Sequence, residues 1–407
     1  MKHILLIWEL GGNRGHLERL QVVAQALKKQ GHAITFVVRD IEKSRQWLEE
    51  RGWPFIAAPR SNQSNWGSRT PSCHADWYLV EGFHREGVAN QLIQQWQSIL
   101  KQNQADAALL DYAPFAAYAL HFHGIPFTTL GSGFCSPTTH APHVPAQSFK
   151  PWDASAVQQA KLAQHHLAHV FKALAQQLGS RAAHHMHDLF THERLALCLF
   201  EEMDHFARPA SSHRFYGAIW ASHKSQSIQW SEQASLPKVF CYLNGQGQDI
   251  LAVLNQLRAT PVQTIAVVPK ISAEEAAALS SAHLQISTQP LDAFALLAQA
   301  QVCITHGGLA LSAMSLQQGV PLLILPQYVE QVLLARQLKK HGLAVACTLP
   351  SAARGITDLL TRMLGDSGYH HRAQTFAQKY RHITPESVVS RVLQAAPWNT
   401  FKKRRLK

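Results

Sequence analysis

One stretch of the chain combines residue types and spacing that suit the binding of an anion. Residues 302–304 (VCI) predict a short buried strand, and the turn 305–308 (THGG) follows it and opens a helix. Such a turn directs backbone N–H groups and the positive end of a helix dipole outward, where a phosphate can bind. His306, within the turn, can supply one more donor to that anion. The stretch therefore predicts a phosphate site.

A second turn of chemical interest follows the next predicted strand. Residues 319–321 (GVP) end the helix, residues 322–325 (LLIL) predict the strand, and Glu330 and Gln331 open another helix. Neighbouring parallel strands of an open α/β sheet end at one edge, where such sheets bind their ligands. The first turn is thus expected to face a phosphate, and the second is expected to face a sugar.

These motifs belong to a regular alternation of strands and helices in both halves of the chain. In the first half, strands are predicted at residues 4–7, 34–38, 106–110 and 127–130, with apolar residues at helical spacing between them. In the second half, strands are predicted at 239–243, 264–268, 302–304, 322–325 and 343–346. Strand–helix units of this length predict an α/β fold with doubly wound parallel sheets.

At 407 residues the chain is long for one hydrophobic core, so two domains are expected. We predict an N-terminal domain over 1–220, a linker over the polar segment 221–237, and a C-terminal domain over 238–380. Residues 381–407 are predicted to form a helix that crosses back to the first domain and ends in a basic tail. Two regions interrupt the alternation: a long loop at 60–75 and helical segments at 153–193.

The composition indicates a globular protein without a membrane span. Hydrophobic residues make up 46% of the chain and charged residues 16%, and no window holds about 18 consecutive apolar residues. The apolar start of the chain is too short for a signal-peptide core, so a cytoplasmic location is expected. The net charge of +12 is carried partly by residues 402–407, which either contact anionic lipid or are solvated. No nucleic-acid-binding motif accompanies this charge.

Cysteine and histidine, which often bind metals in proteins, show no metal-site pattern. The 6 cysteines are scattered without a C-x-x-C pair and are expected to be buried, reduced thiols. The 25 histidines include His165 and His169, one helical turn apart, but no H-E-x-x-H motif occurs. A solvated polar face is the preferred interpretation of these histidines, and no metal site is expected.

Taken together, the turns resemble those of the GT-B glycosyltransferases, in particular the bacterial family 1 enzymes that use UDP or dTDP sugars. The second half carries the resemblance in order and spacing, with THGG at 305–308, GVP at 319–321, Pro326, and the pair 330–331 (EQ). The first half adds the turn 11–16 (GGNRGH), Asp111 and residues 124–126 (GIP). The resemblance implies two Rossmann-like domains facing each other across a cleft, the N-terminal one binding the acceptor and the C-terminal one binding the donor.

The resemblance also implies roles for individual residues. His16 would be the general base, and Asp111 would orient it. The donor site would be formed by Asn244, Gln246, His306, Gly307, Gly308, Ser312, Glu330 and Gln331. Of these, His306 and the two glycines would contact the diphosphate, and the pair 330–331 would bind sugar hydroxyls. Two simpler roles stay open, since His16 can serve as an ordinary helix N-terminal residue and Asp111 can cap the helix that follows it.

The acceptor site is the least patterned part of the chain. Trp66, Trp77 and Phe83 either line an acceptor pocket or pack together beneath the long loop. We expect a small-molecule or lipid-linked acceptor, with peripheral membrane contact through the basic tail and no nucleic-acid partner.

The implied activity is the transfer of a sugar from a nucleoside diphosphate to an acceptor hydroxyl, with inversion and without a cofactor or metal. A histidine can take the proton of the hydroxyl, and a carboxylate on its other ring nitrogen fixes the tautomer and stabilises the imidazolium. Backbone donors and a helix dipole can stabilise the leaving diphosphate.

Met314 departs from the pattern, because many members of the family have a Glu there that binds the ribose hydroxyls. Two interpretations remain open. The donor is a dTDP sugar, whose deoxyribose offers one hydroxyl fewer, or the chain is a non-catalytic GT-B-like binding or scaffolding protein with a degenerate donor site. Leu311 also replaces a small hydroxyl residue, and Ser312 beside it can compensate.

Overall fold

The computed structural model describes residues 1–11, 15–60, 70–137, 147–191, 193–211, 213–221, 228–231 and 235–399. The chain divides into two compact units. The first unit comprises Met1–Leu199, Arg208–Trp220 and the described residues from Pro385 onward; the second comprises Phe200–Ala207 and Ala221–Thr384. Each unit contains one six-stranded sheet.

The first unit has a parallel sheet whose strand order reverses at its centre. Its elements are β1 (His3–Trp8), α1 (Gly15–Lys29), β2 (Ala33–Val38), α2 (Ile41–Glu49), β3 (Phe55–Ala57), α3 (His74–Tyr78), α4 (Glu86–Gln102), β4 (Ala107–Leu110), α5 (Pro114–His123), β5 (Phe127–Gly131), α6 (Ala154–Leu178), α7 (Met186–Leu189) and β6 (Leu195–Leu197). The strands lie in the order β3-β2-β1-β4-β5-β6, and every pair is parallel. The chain leaves β1 in one direction and returns at β4 in the other, so the switch point lies between these strands.

The second unit repeats this architecture. Its elements are β7 (Lys238–Tyr242), α8 (Gln248–Ala259), β8 (Gln263–Val267), α9 (Ala273–Leu279), β9 (Leu284–Ser287), α10 (Ala293–Leu297), β10 (Val302–Thr305), α11 (Leu309–Gln317), β11 (Leu322–Ile324), α12 (Val329–Lys340), β12 (Ala344–Ala346), α13 (Leu349–Gly365) and α14 (Ser367–Tyr380). The order is β12-β11-β10-β7-β8-β9, again all parallel. Its switch point lies between β7 and β10.

The central strands are apolar and buried along nearly their whole length. In β1, residues 4–8 are all buried, and the same holds for all of β4 and β10. Parallel strands covered on both faces require such continuous apolar runs, which is why the sequence pattern identified them. The predicted α/β fold with doubly wound parallel sheets is confirmed.

The last helix, α15 (Pro385–Ala395), packs within the first unit. Its apolar face, made of Val388, Val389, Val392 and Leu393, is buried. Arg391 donates a hydrogen bond to the carbonyl of Tyr216, and Lys2 donates one to the carbonyl of Trp398. The basic residues 402–407 lie outside the described part of the chain.

All six cysteines are free thiols, as the sequence predicts. Five are buried and Cys347 is half-buried. Burial raises the pKa of the Cys198 thiol to about 12, so this group is neutral at ordinary pH. Within the described residues, none of the helices has the length and apolarity that crossing a bilayer requires.

Candidate active site

His16 and Asp111 meet at the switch point of the first sheet. Asp111 directly follows β4, and His16 is the second residue of α1, the helix that follows β1. Its Nδ1 lies 3.0 Å from Oδ1 of Asp111. The imidazole also stacks on the indole of Trp8, with ring centroids 5.5 Å apart. The His16 side chain keeps 16% of its surface exposed, whereas Asp111 is completely buried.

The carboxylate that caps α5 is Glu9, at the end of β1, and not Asp111. Glu9 accepts hydrogen bonds from the backbone N–H groups of Phe115 (3.0 Å) and Ala116 (3.1 Å), in the first turn of α5. Burial raises the pKa of the Glu9 carboxyl to about 8. The cap role that the sequence left open for Asp111 is therefore filled by another residue, which leaves the Asp111 side chain to contact α1.

Arg19 is a third member of this cluster, and the sequence analysis did not identify it. Its Nε and Nη2 lie 2.9 and 2.6 Å from Oδ2 of Asp111, and Nη2 also lies 3.1 Å from Nδ1 of His16. Arg19 is buried although it is charged. One signal could have revealed it: an arginine on the same helical face as the apolar residues Leu20 and Val23, where a charge requires a buried partner.

The environment of Asp111 keeps it ionised. Burial acts to raise the pKa of the carboxyl, but the charge of Arg19 and the hydrogen bonds from Arg19 and His16 outweigh it. The net effect is a pKa below the usual value for Asp. An ionised carboxylate can hold the Nδ1–H of the imidazole, so that Nε2 carries a free lone pair.

In the second unit, the predicted phosphate turn joins β10 to α11. Gly307 has a φ of +89°, which L-residues with a side chain rarely adopt, and a Cβ placed there would lie 3.0 Å from Cγ2 of Ile324. Gly308 is the N-cap of α11, and no side chain caps the helix there. The N-terminus of α11 therefore has N–H groups available at the switch point, the arrangement that binds oxyanions.

His306 and Ser312 each have a buried polar atom without a partner at this turn. Nδ1 of His306 lies 2.8 Å from the carbonyl of Leu325, but Nε2 has no hydrogen-bond partner within the described residues. The same holds for Oγ of Ser312, whose side chain is fully buried in α11. Burial lowers the pKa of His306, and the charge of Lys270 lowers it further, against the opposing hydrogen bond to Leu325. Since a carbonyl only accepts, Nδ1 carries the proton of the neutral ring.

The other predicted donor residues lie at the ends of β7 and β11. Asn244 is half-buried and Gln246 is exposed in the turn that follows β7, which pairs with β10. Glu330 is half-buried in the first turn of α12. The side-chain oxygen of Gln331 accepts from the backbone N–H groups of Gln327 (2.7 Å) and Tyr328 (3.3 Å). This oxygen therefore caps α12. The amide nitrogen of Gln331 remains available to donate a hydrogen bond to a sugar.

The predicted acceptor residues separate into different environments. Trp77 is half-buried and stacks on Tyr112, with ring centroids 4.3 Å apart. Tyr112 is the residue that follows Asp111 in the chain. Phe83 has no exposed surface and stacks on Phe115 at 4.1 Å, with nearly parallel rings. Its assignment to the acceptor pocket is corrected, because the ring is part of the hydrophobic core. Trp66 lies outside the described residues.

Two of the three histidines of α6, His165 and His169, form a surface pair. Nε2 of His165 lies 3.1 Å from Nε2 of His169, and both side chains are exposed. In the described ranges, no group of three or more His, Cys, Asp or Glu side chains is arranged to hold a metal ion.

No protein-family model matches the chain. A search of curated proteins likewise found no match.

Solved structures of glycosyltransferases share the fold over almost the whole chain. The glycosyltransferase of kitacinnamycin superposes with a TM-score of 0.69 at 18% identity, over 97% of this chain and 99% of the other. Spinosyn rhamnosyltransferase SpnG complexed with thymidine diphosphate gives 0.68 at 15% identity, over 97% and 100%. The same enzyme has also been solved with spinosyn aglycone. SsfS6 from Streptomyces sp. SF2575, complexed with thymidine diphosphate, gives 0.64 at 18% identity, over 97% and 100%. At such identities the likeness concerns the fold, and the chain has the GT-B fold of these glycosyltransferases.

Proposed function

We propose that the protein transfers a sugar from a nucleoside diphosphate to a hydroxyl-bearing acceptor, with inversion and without a metal. The observation that carries this proposal is the pair of unpartnered polar atoms at the N-terminus of α11, Nε2 of His306 and Oγ of Ser312. A buried polar atom without a partner costs about 1–3 kcal/mol, so two of them at one anion-binding turn indicate a missing ligand.

In the proposed reaction, His16 takes the proton of the acceptor hydroxyl. Asp111 holds Nδ1–H, so Nε2 is the basic atom, and the carboxylate stabilises the imidazolium that forms. The hydroxyl oxygen then attacks the anomeric carbon while the bond to the diphosphate breaks. Direct displacement by one nucleophile inverts the configuration at that carbon.

The leaving diphosphate gains negative charge as its bond to the sugar breaks. The free N–H groups of α11 and its dipole stabilise that charge, and Ser312 can donate its hydroxyl proton. His306 can donate from Nε2 only when its ring is protonated, because Nδ1 already holds the proton of the neutral ring. These groups supply the stabilisation that a divalent metal supplies in other phosphoryl sites.

A deoxythymidine diphosphate sugar is the donor that we favour. Met314 is half-buried on α11 and cannot bind a ribose hydroxyl with any strength. SpnG and SsfS6, which share the fold, have both been solved with thymidine diphosphate. The aromatic surface of Trp77 and Tyr112 suits a small, largely apolar acceptor, and SpnG is known with a spinosyn aglycone. We place the reaction in the bacterial cytoplasm.

Two serines of α11 give a matched test of the donor site. Ser312 and Ser315 are both fully buried, but Oγ of Ser315 already donates to the carbonyl of Val320 at 2.9 Å. We expect Ser312→Ala to weaken deoxythymidine diphosphate binding about tenfold while leaving unfolding stability unchanged or slightly higher. Ser315→Ala is expected to lose about 1–3 kcal/mol of stability with an unchanged Kd.

Calorimetry with deoxythymidine and uridine diphosphates measures both Kd values, and urea unfolding measures stability. Equal effects of the two substitutions on Kd would remove the argument for a diphosphate at this turn. If neither nucleotide binds the wild-type protein, the alternative of a non-catalytic GT-B-like binding protein takes precedence. Transfer itself is then tested by the loss of product formation in His16→Ala, with the Kd of the nucleotide retained.

A further inference from the structure

The cluster at the end of β1 and β4 contains a cation that a simple histidine–carboxylate pair does not need. Asp111 offers one oxygen to His16 and the other to Arg19, which reaches it through two nitrogen atoms. Asp111 and Arg19 are both buried, so their mutual attraction is weakly screened by water. Among the described residues, the carboxylate is hydrogen-bonded from α1 alone, once by His16 and twice by Arg19, which lies one helical turn further along.

We propose that Arg19 is a positioning residue that orients Asp111 and places a fixed positive charge beside Nδ1 of His16. This inference rests on the proposed function for its catalytic meaning, but the electrostatic part concerns the cluster alone. The guanidinium lies 3.1 Å from Nδ1 of His16, so its fixed charge opposes the formation of an imidazolium.

The contacts of Nδ1 also define which tautomer is used. Nδ1 either carries a proton that it donates to Asp111 or presents a lone pair that accepts from Arg19, because one nitrogen cannot do both. Both donor nitrogens of Arg19 are directed at Oδ2, which leaves the ionised Oδ1 to accept from the imidazole. Arg19 thus favours the tautomer with a basic Nε2 by fixing the rotation of the carboxylate.

The neighbouring groups do not replace the charge of Arg19. Trp8 contributes an indole stacked on the imidazole from β1. Cys198, beyond the end of β6, and Cys135 approach Arg19, and burial keeps the Cys198 thiol neutral by raising its pKa. Asp111 is the anion in contact with the imidazole, and Arg19 is the cation in contact with it.

Reactivity with diethyl pyrocarbonate tests this inference without any assumption about function. The reagent modifies the unprotonated nitrogen of an imidazole, and peptide mass spectrometry gives the rate at His16 as a function of pH. Removing the cation in Arg19→Gln favours the protonated ring, so we expect the pH dependence of modification to move upward by about one pH unit. Arg19→Lys keeps a charge and is expected to retain the wild-type profile, since a lysine still opposes protonation of the ring.

Val23→Ala is the matched control for loss of packing in α1. Val23 is fully buried on the same face of the helix and carries no charge. The control is expected to lower the midpoint of urea unfolding and to leave the profile of His16 in place. An unchanged profile in Arg19→Gln, or an equal displacement in Val23→Ala, would overturn the proposal. If Arg19→Gln does not fold, the Arg19→Lys variant decides: a displaced modification profile of His16 overturns the proposal, and a retained profile supports it.

The catalytic consequence is read separately, from the pH dependence of kcat/KM for sugar transfer. We expect the acid limb to move upward by the same amount in Arg19→Gln. In Arg19→Lys we expect the acid limb to keep its wild-type position and kcat to fall about tenfold. The lysine ammonium keeps the positive charge, but it cannot hold the Asp111 carboxylate through two nitrogen atoms as the planar guanidinium does. Absence of transfer in the wild-type protein would refute the proposed function, while the modification profile would still decide the role of Arg19.

Discussion

The two switch points of this protein have the same strand architecture but differ in how their charged and polar side chains are hydrogen-bonded. At the end of β1 and β4, Asp111 is fully engaged by His16 and Arg19, and Glu9 is engaged by the first turn of α5. At the end of β10, His306 and Ser312 retain polar atoms without partners, and the N-terminus of α11 has no side-chain cap. The carboxylates of the first site are satisfied within the protein, whereas the second site keeps polar groups free for the diphosphate that we propose.

This difference matches the chemistry that we propose for each site. A general base works best when its orientation and charge are set before the acceptor arrives, which requires a closed network. A site for a nucleoside diphosphate must instead keep donors free, since each donor satisfied within the protein is lost to the ligand. Substitutions should therefore affect mainly stability and base chemistry in the first site, and mainly affinity in the second.

The largest effect is expected from Asp111→Asn, which breaks the closed network. The substitution leaves the buried guanidinium of Arg19 without a counter-charge, at a cost of about 3–5 kcal/mol, and removes the orienter of the base, with a loss of about 10³–10⁴ in kcat. Urea unfolding and steady-state kinetics measure the two losses. The pKa of Asp111 is lowered by folding, so its stabilisation is fully present above the usual Asp range and is lost as the pH falls from that range through the lowered pKa.

The difference in stability between wild type and Asp111→Asn should accordingly shrink in acid. Asp153→Asn serves as a control, because Asp153 caps α6 at the surface and asparagine caps a helix equally well. If Asp111→Asn loses no more stability than this control, Asp111 does not hold His16 and Arg19 in the network described.

A smaller effect is expected from Gly307→Ala, at the turn of the open site. The φ of +89° and the approach of Ile324 make a side chain costly there, by about 1–3 kcal/mol. Gly308→Ala is the matched comparison, because its φ is −67° and a Cβ would meet no atom within 4 Å. We expect Gly308→Ala to retain stability while weakening nucleotide binding, since its Cβ projects where the ligand approaches. Equal stability of the two variants would contradict the strained turn.

The smallest expected effect is a change of nucleotide affinity with pH, which arises from His306 at the open site. The pKa of His306 is lowered in the free protein, and Nε2 donates to an oxyanion only in the protonated ring. Binding should therefore take up a proton, and the affinity for deoxythymidine diphosphate should rise as the pH falls, by less than about tenfold per pH unit. Calorimetry in buffers of different ionisation enthalpy measures this uptake. If nucleotide binding releases protons or exchanges none, His306 does not donate to the diphosphate, and the backbone N–H groups alone make that contact.

Much of the fold was predictable, because central parallel strands leave a strong apolar pattern. The strands at 4–7, 127–130 and 302–304 were predicted within one residue of their observed bounds. Three strands were not predicted, β3, β6 and β9, and each lies at an edge of its sheet. β3 and β6 are apolar runs of only three residues, and β9 has only four, so none is long enough to predict a strand from its pattern.

The candidate site was predictable only in part, because its motifs mark turns and not contacts. The turns containing His16 and His306 do lie at switch points, and Trp77 contacts Tyr112, the residue that follows Asp111. The burial of Phe83 could not be read from the sequence, since an aromatic residue beneath a loop and one in a pocket share the same local pattern. The capping role of Gln331 was hidden in the same way.

The sequence by itself determined the order of strands and helices and the turns at which chemistry is expected. The spacing of apolar residues and the positions of glycines, which indicate these features, are local properties of the chain. Tertiary structure alone decided which side chains act together. His16 and Arg19 meet a carboxylate 95 and 92 residues away, and Glu9 caps a helix 106 residues ahead of it. Such contacts depend on which strands become neighbours in the sheet, and no local pattern records that choice.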